Sequence, residues 1–252
     1  MMTPAINRLT TTIDASAVIA DQFGQLAVSL ADGADQPFTQ QRLVEFAVRG
    51  IPGAEHASIT TVDGNRPPRT TAQSDELPYH WDQLQYQYGE GPCLEAIATN
   101  GVELTPDLRT ENRWPLFTRA IVDHTPARSV VSFPLFLTAE NRAGLNLYAT
   151  RPAAFNDQST ATGLMFAAYA SVALLAAARQ DKADHLTRAL ETNRQIGIAI
   201  GILMAHGKLT SQQAFDQLRV TSQNCNRKLK DIAADVALTG ALPPALSKLV
   251  RR

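Results

Sequence analysis

The chain has 252 residues, 44% hydrophobic and 19% charged, a globular composition that excludes a disordered polymer and leaves room for one large domain or two ordinary ones. Two cysteines, Cys93 and Cys225, are too few for a disulfide framework or a four-ligand zinc site, and the five histidines show no ligand spacing, so no metal is expected. The net charge of −1 conceals an asymmetry: residues 1–178 carry 11 basic against 18 acidic side chains, residues 179–252 carry 12 against 6.

An acidic body followed by a basic tail predicts two units, the second facing a polyanion, although the same charges also suit a solvated helical surface. Polar residues interrupt every short apolar stretch of the first thirty positions, so no secretory segment is expected. The longest apolar run, Gly163–Ala178, has 16 residues and is Ala-rich. A bilayer span needs about 20 strongly apolar ones, so the chain reads as soluble and cytoplasmic, with no membrane partner.

Residues 1–36 form a polar lead-in in which Ile19, Phe23, Leu26 and Leu30 predict a helix over 15–30, broken by Asp32-Gly33 and Pro37. Thr39 is the expected N-cap of a helix burying Leu43, Val44, Phe46 and Ala47 and ending at Gly50-Ile51-Pro52. The period then changes. Residues 57–62 and 69–73 predict a hairpin around Asp63-Gly64-Asn65, and a helix follows over 74–86, opened by Ser74, Asp75 and Glu76. A short strand at 102–104, a helix over 114–124 with Pro115 in its first turn, and strong strands at 130–137 and 144–150 complete the pattern. Hairpin strands with interspersed helices imply an α+β domain, an antiparallel sheet flanked by helices.

After Pro152 the strand signal vanishes, and one or two helices span roughly 157–206. A heptad frame places Val172, Leu175, Leu186, Ile196, Ile200 and Leu203 on one seam, interrupted by Arg179, Lys182 and Asn193. Such a seam predicts a coiled-coil-like homodimer; the alternative is that these residues pack on the domain's own sheet. Two shorter helices follow, one capped by Thr210 and the other by Asn226, ending at Gly240. With the end of the long helix they make an all-α three-helix unit.

Two stretches resemble known families. Gly89-Glu90-Gly91-Pro92-Cys93-Leu94-Glu95-Ala96, Asp107-Leu108, Arg113-Trp114-Pro115-Leu116-Phe117, residues 128–135 and Asn146-Leu147-Tyr148-Ala149 resemble the bacterial GAF sensory domain, over about 38–178. Residues 194–204, Leu209-Thr210, Ala214-Phe215, Leu218-Arg219, residues 222–224, Asn226-Arg227-Lys228-Leu229 and Asp231-Ile232-Ala233 resemble the ANTAR domain, over about 181–242. The pairing looks like the actinobacterial GAF–ANTAR regulators. It implies a lead-in (1–36), a GAF-like domain (37–178), an ANTAR domain (179–242) and a basic tail (243–252).

The resemblance implies a non-enzymatic regulator that binds paired stem-loops in nascent mRNA and favours antitermination, its GAF domain sensing an unknown signal. Arg194, Lys208, Arg219, Arg227, Lys228 and Lys230 would hold phosphates, and Ser222 and Asn226 would reach loop bases. The alternative is a signalling module whose basic bundle binds a protein or DNA. Trp81, Tyr86, Tyr88, Cys93, Trp114 and Phe117 flank the expected GAF cavity and either line a small-molecule pocket or fill it. Cys93 sits at a helix start, where a thiol pKa can fall; one GAF branch, the free methionine sulfoxide reductases, uses cysteine chemistry, and the plain alternative for Cys93 is a structural turn. Glu90 and Glu95 read as a cap and a solvated face. Asn146, Phe155 and Asp157 echo fragments of the cyclic-nucleotide GAF pattern, without its Lys or its Asp-Glu pair, and no resident cofactor is expected.

Overall fold

Strand β5 (Asn141–Ala149) organises the first unit, because both of its faces are covered from Ala143 onward. Ala143, Leu145, Leu147 and Ala149 point into one apolar cluster, and the alternate positions Gly144, Asn146 and Tyr148 point to the opposite face. A computed structural model describes residues 24, 25, 28, 35–137 and 141–243. The predicted lead-in helix lies almost wholly outside these residues; positions 24, 25 and 28 are helical and exposed. Except for Pro243, the basic tail also lies outside them.

The elements are α1 (Gln36–Gly50), β1 (His56–Asp63), β2 (Arg69–Gln73), α2 (Glu76–Tyr88), α3 (Pro92–Thr99), β3 (Glu103–Thr105), α4 (Pro115–His124), β4 (Ser129–Phe136), β5, α5 (Asp157–Gly207), α6 (Ser211–Cys225) and α7 (Leu229–Thr239). The five strands run β2-β1-β5-β4-β3, every neighbouring pair antiparallel. This is the expected α+β architecture followed by a helical unit. Contacts divide the chain into Met1–Asp181 and Lys182–Arg252, and α5 runs through that division as one continuous helix.

One face of the sheet packs on Leu43, Val44 and Ala47 of α1 and on Phe166, Ala167, Ala170 and Leu174 of α5. Gly163 of α5 lies so close to the sheet that a Cβ would sit 2.1 Å from Cζ of Phe133. The other face carries Trp81, Leu108, Trp114, Phe117 and Ile121 over Val130 and Tyr148. A β-bulge between Ile59 and Thr60 shifts the β1–β2 register, which turns Thr70 toward α2, where it bonds Asp82 and Tyr86.

Short β3 covers β4 only from Val130 to Ser132. Beyond it, Pro134 has no N–H to offer, and the Phe136 N–H donates to Ser171 Oγ of α5 at 2.9 Å.

Three expected caps are corrected. Asp35 caps α1, accepting from the Phe38 N–H at 2.9 Å, while Thr39 is buried inside the first turn. Pro37 does not break the chain there; it occupies a first-turn position where its missing N–H costs nothing. Asp75, not Ser74, caps α2, because the Ser74 hydroxyl already accepts from the Ala57 N–H. Asn226 ends α6 in the left-handed conformation (φ 50°) rather than opening α7, whose N-cap is Lys228 with no side-chain cap. Asn tolerates that conformation better than most residues. Thr210 caps α6 as expected, in a reciprocal capping box with Gln213.

The second unit closes around Ala199, Leu203, Ala214, Leu218, Ile232, Ala233 and Val236. The six seam residues therefore do not share one environment. Val172 and Leu186 are exposed, whereas Leu203 is buried in this core with Ile196 and Ile200 packed beside it. Packing of α6 and α7 claims the lower part of the seam, a tertiary effect that a heptad count does not contain. Among the described residues, α5 is the one helix long and apolar enough to cross a membrane; 44% of its most apolar 18-residue window is buried within the protein.

Candidate sensory interior and nucleic-acid interface

Where β1 and β5 meet α2, the sheet's second face carries polar side chains. Asp82, in the middle of α2, is fully buried. Its Oδ1 accepts from the Tyr148 hydroxyl at 2.6 Å and from Asn146 Nδ2 at 3.1 Å, and its Oδ2 accepts from Thr70 Oγ1 at 2.8 Å. Asn146 Nδ2 also faces Ser58 Oγ and Thr60 Oγ1, and Asn146 Oδ1 accepts from Ser132 Oγ. The Tyr86 hydroxyl lies 2.8 Å from Thr60 Oγ1 and 3.0 Å from Thr70 Oγ1. Burial pushes the Asp82 carboxyl up to about 6, against the lowering effect of these donors.

Gln85 joins the network to the glycine-rich turn. Its Nε2 donates to the Tyr148 hydroxyl, and its Oε1 accepts from the Cys93 N–H at 2.8 Å. Gly91, at φ 139°, passes so close that a Cβ would lie 2.4 Å from Gln85 Oε1. Gly91 is thus required both by its backbone conformation and by contact.

The predicted pocket residues separate into three groups. Trp81, Trp114 and Phe117 are buried members of the apolar cluster and fill this face. Glu95 is exposed on α3, as expected, and its Oε2 also accepts from Trp114 Nε1. Glu90 accepts from the Leu116 and Phe117 N–H groups and caps α4. Tyr88 is exposed and lies outside the network. Cys93 is fully buried, and burial, with the nearby Asp82 charge, raises its thiol to about 12. Desolvation outweighs the helix start here, so the thiol carries little thiolate near neutral pH.

Tyr86 borders both the network and a small cavity of about 260 Å³ lined by Val62, Leu94, Ile97 and Arg142. Sequence reasoning does not single out Asp82, Gln85, Thr60, Thr70 or Tyr148. The available signal is the alternation Leu145-Asn146-Leu147-Tyr148 in a strand covered on both faces, which marks a polar layer under helices.

In the second unit the eight predicted RNA contacts fall in different places. At the α6–α7 junction the Ser222 hydroxyl donates to the Arg227 carbonyl, and the Arg227 N–H donates back to the Ser222 carbonyl. Arg227 Nη1 is held by Asp235 at 2.6 Å and Arg219 by Asp216 at 3.2 Å, so both guanidiniums have carboxylate partners. Lys228 and Lys230 are exposed at the same junction, without an ion pair among the described residues. Lys208, exposed with φ 51°, lies across the 15 residues of α6, about 22 Å away along that helix. Arg194 is exposed on α5.

A GAF domain family matches residues 35–175, more than half of the chain. The chain belongs to the GAF domain family. An ANTAR domain matches residues 184–236, completing a GAF–ANTAR architecture. GAF domains are sensory and ANTAR domains bind RNA in antitermination, so this is a regulatory, signal-transducing chain. No curated protein matches it.

Among solved structures, free methionine-R-sulfoxide reductase from Neisseria meningitidis aligns at 16% identity with a TM-score of 0.52, covering 65% of this chain and 92% of its own. The GAF domain of a phosphoenolpyruvate-protein phosphotransferase from Coxiella burnetii aligns at 13% identity and a TM-score of 0.52, covering 66% and 96%. That of the Acinetobacter phosphotransferase gives 12% and 0.50, covering 64% and 94%. At these identities the likeness is one of fold.

Proposed function

We propose that this protein is a homodimeric regulator that binds paired stem-loops in nascent mRNA and favours antitermination, with its GAF domain receiving a small-molecule signal. The observation that carries the reading is the α6–α7 junction of the ANTAR region, where Lys228 and Lys230 stand exposed, with no ion pair among the described residues. Their ammonium groups supply phosphate contacts beside the uncapped start of α7. Asp231 in that first turn tempers the local potential, so the contact is carried by the two lysines rather than by the helix end alone. Arg227, held by Asp235, shapes the junction, and Ser222 fixes the Arg227 backbone. Arg194 and Lys208 extend the basic surface, and Asn226 and loop bases supply the sequence-reading contact.

Dimerisation is proposed along the exposed line of α5. Met165, Val172, Leu186 and Leu190 are exposed apolar residues on that helix. The first three fall on a seven-residue repeat that passes through Arg179. The buried polar layer around Asp82 and Asn146, with the small cavity beside Tyr86, is where the signal would be read.

The test is a titration of the full chain with a tandem stem-loop RNA at several salt concentrations. The wild type should bind with a steep salt dependence, and Lys228→Ala/Lys230→Ala should reduce the log–log slope by about two. Substituting Arg219 should change it less. Equal slopes for wild type and double variant would remove the junction from the interface. Equal affinity for a duplex without loops would indicate backbone binding without loop readout.

A further inference from the structure

The first unit contains a second concave site on the sheet face opposite the Asp82 layer. It is a groove of about 870 Å³ between the start of α1, the tip of the β1–β2 hairpin and α5. Leu137, Leu174, Leu175 and Ala178 give it an apolar wall. Leu175, predicted for the seam, is thus a lining residue of this groove.

Two polar side chains in the lining are buried, and one of them is unsatisfied. Gln40 is 4% exposed and lines the groove. Thr61 is 5% exposed, and its Oγ1 is buried with no partner among the described residues. Buried polar groups are nearly always hydrogen-bonded, and each one left unmet costs folding free energy. An unmet hydroxyl beside a buried amide in one groove marks a place where something else supplies the partner. For Thr61, one step in χ1 moves Oγ1 into the place that Cγ2 or Hβ holds.

The rim sets the charge. Asp63 is paired with Arg69 at 2.9 Å, which leaves Arg66, exposed and without an ion pair among the described residues, as the uncompensated cation of the lining. A guanidinium favours a carboxylate, which it can hold with two parallel hydrogen bonds.

We propose that this groove binds a soluble anionic amphiphile. Its carboxylate would lie on Arg66, a neutral amide or ester on Gln40 and Thr61, and an acyl body along Leu137, Leu174 and Leu175. The groove adjoins the buried layer assigned above to the signal through Thr70, which donates to Asp82 and also lines the groove, and it does not depend on RNA binding.

The probe is N-decanoylglycine, which carries all three groups, titrated calorimetrically into the full-length protein below its micelle concentration. Saturable binding at one site per chain is expected. Arg66→Ala should weaken it roughly tenfold, and so should replacing the probe by its uncharged methyl ester. Gln40→Leu should weaken binding several-fold while leaving the thermal midpoint unchanged or higher, because the amide serves the ligand rather than the fold. Thr61→Val should behave in the same way.

The proposal is overturned if N-decanoylglycine shows no saturable binding, or if a decyl ammonium salt binds equally well. It is also overturned if Arg66→Ala and Gln40→Leu both leave affinity unchanged. A marked fall in the thermal midpoint of Gln40→Leu would show that the amide serves folding, and would overturn the assignment too.

Discussion

Asp82 is a carboxyl group whose folded environment opposes its own ionisation. Its pKa rises from 3.8 to about 6, chiefly through burial. Below about pH 4 both folded and unfolded chains hold the proton. Between about pH 4 and 6 the unfolded chain releases it first, so folding stability falls as pH rises, by roughly 3 kcal/mol once pH passes 6. Asp82→Asn should abolish this fall, because the amide keeps an acceptor for Asn146 and Tyr148 and the Thr70 hydroxyl can turn to accept. Thermal midpoints of the two proteins between pH 4 and 7 check this: the difference in favour of the variant should grow with pH and then level off. The partner residue Asn146 is visible in the sequence as an echo of a nucleotide-binding pattern. Asp82 is not, since a single acid in a polar helix carries no mark of burial until the bulge turns Thr70 toward it. The glycine-rich turn is legible as a motif, but the reason for Gly91 lies in Gln85, six residues earlier in sequence and in contact only after folding.

Helices and strands are legible to within a few residues because their periods of 3.6 and 2 are written locally. Caps are less so: Asp35 takes the Phe38 N–H, Ser74 is committed to the Ala57 N–H and leaves the start of α2 to Asp75, and Lys228 stands at the start of α7 with no side-chain bond. The α6 cap is the exception, and Thr210→Ala should lower the stability of the second unit by about 1 kcal/mol, measured by denaturant titration of the full chain. Three glycines of α5 divide by what surrounds them. Gly163→Ala would drive a methyl into the fully buried Phe133 ring and should destabilise by about 1–3 kcal/mol despite its better helix propensity. At Gly197 and Gly201 an added methyl would meet no described neighbour within 4 Å, so alanine at either should stabilise the helix by up to about 1 kcal/mol. Reversed signs in these two sets would mean that the helix faces are assigned wrongly.

For the whole molecule, the division into an α+β unit and a helical unit is announced by the loss of strand signal after Pro152 and by the switch from net acidic to net basic charge. Of the six residues of the heptad frame, Leu203, Ile196 and Ile200 are claimed by α6 and α7, which a repeat count does not reveal. If dimerisation follows the exposed line, Leu186→Glu/Leu190→Glu should shift the sedimenting species at micromolar concentration from dimer to monomer while the far-ultraviolet helical signal persists. A sheet of this kind also has an edge to defend. Past β3, strand β4 presents no free donor at Pro134 and has given the Phe136 N–H to Ser171. A foreign strand laid along that edge finds acceptors but no donors to pair with, so chain-to-chain sheet growth is blocked at its first rungs. That protection matters most for crowded, newly made chains, and removing one hydroxyl, at Ser171, would reopen one of those rungs to aggregation.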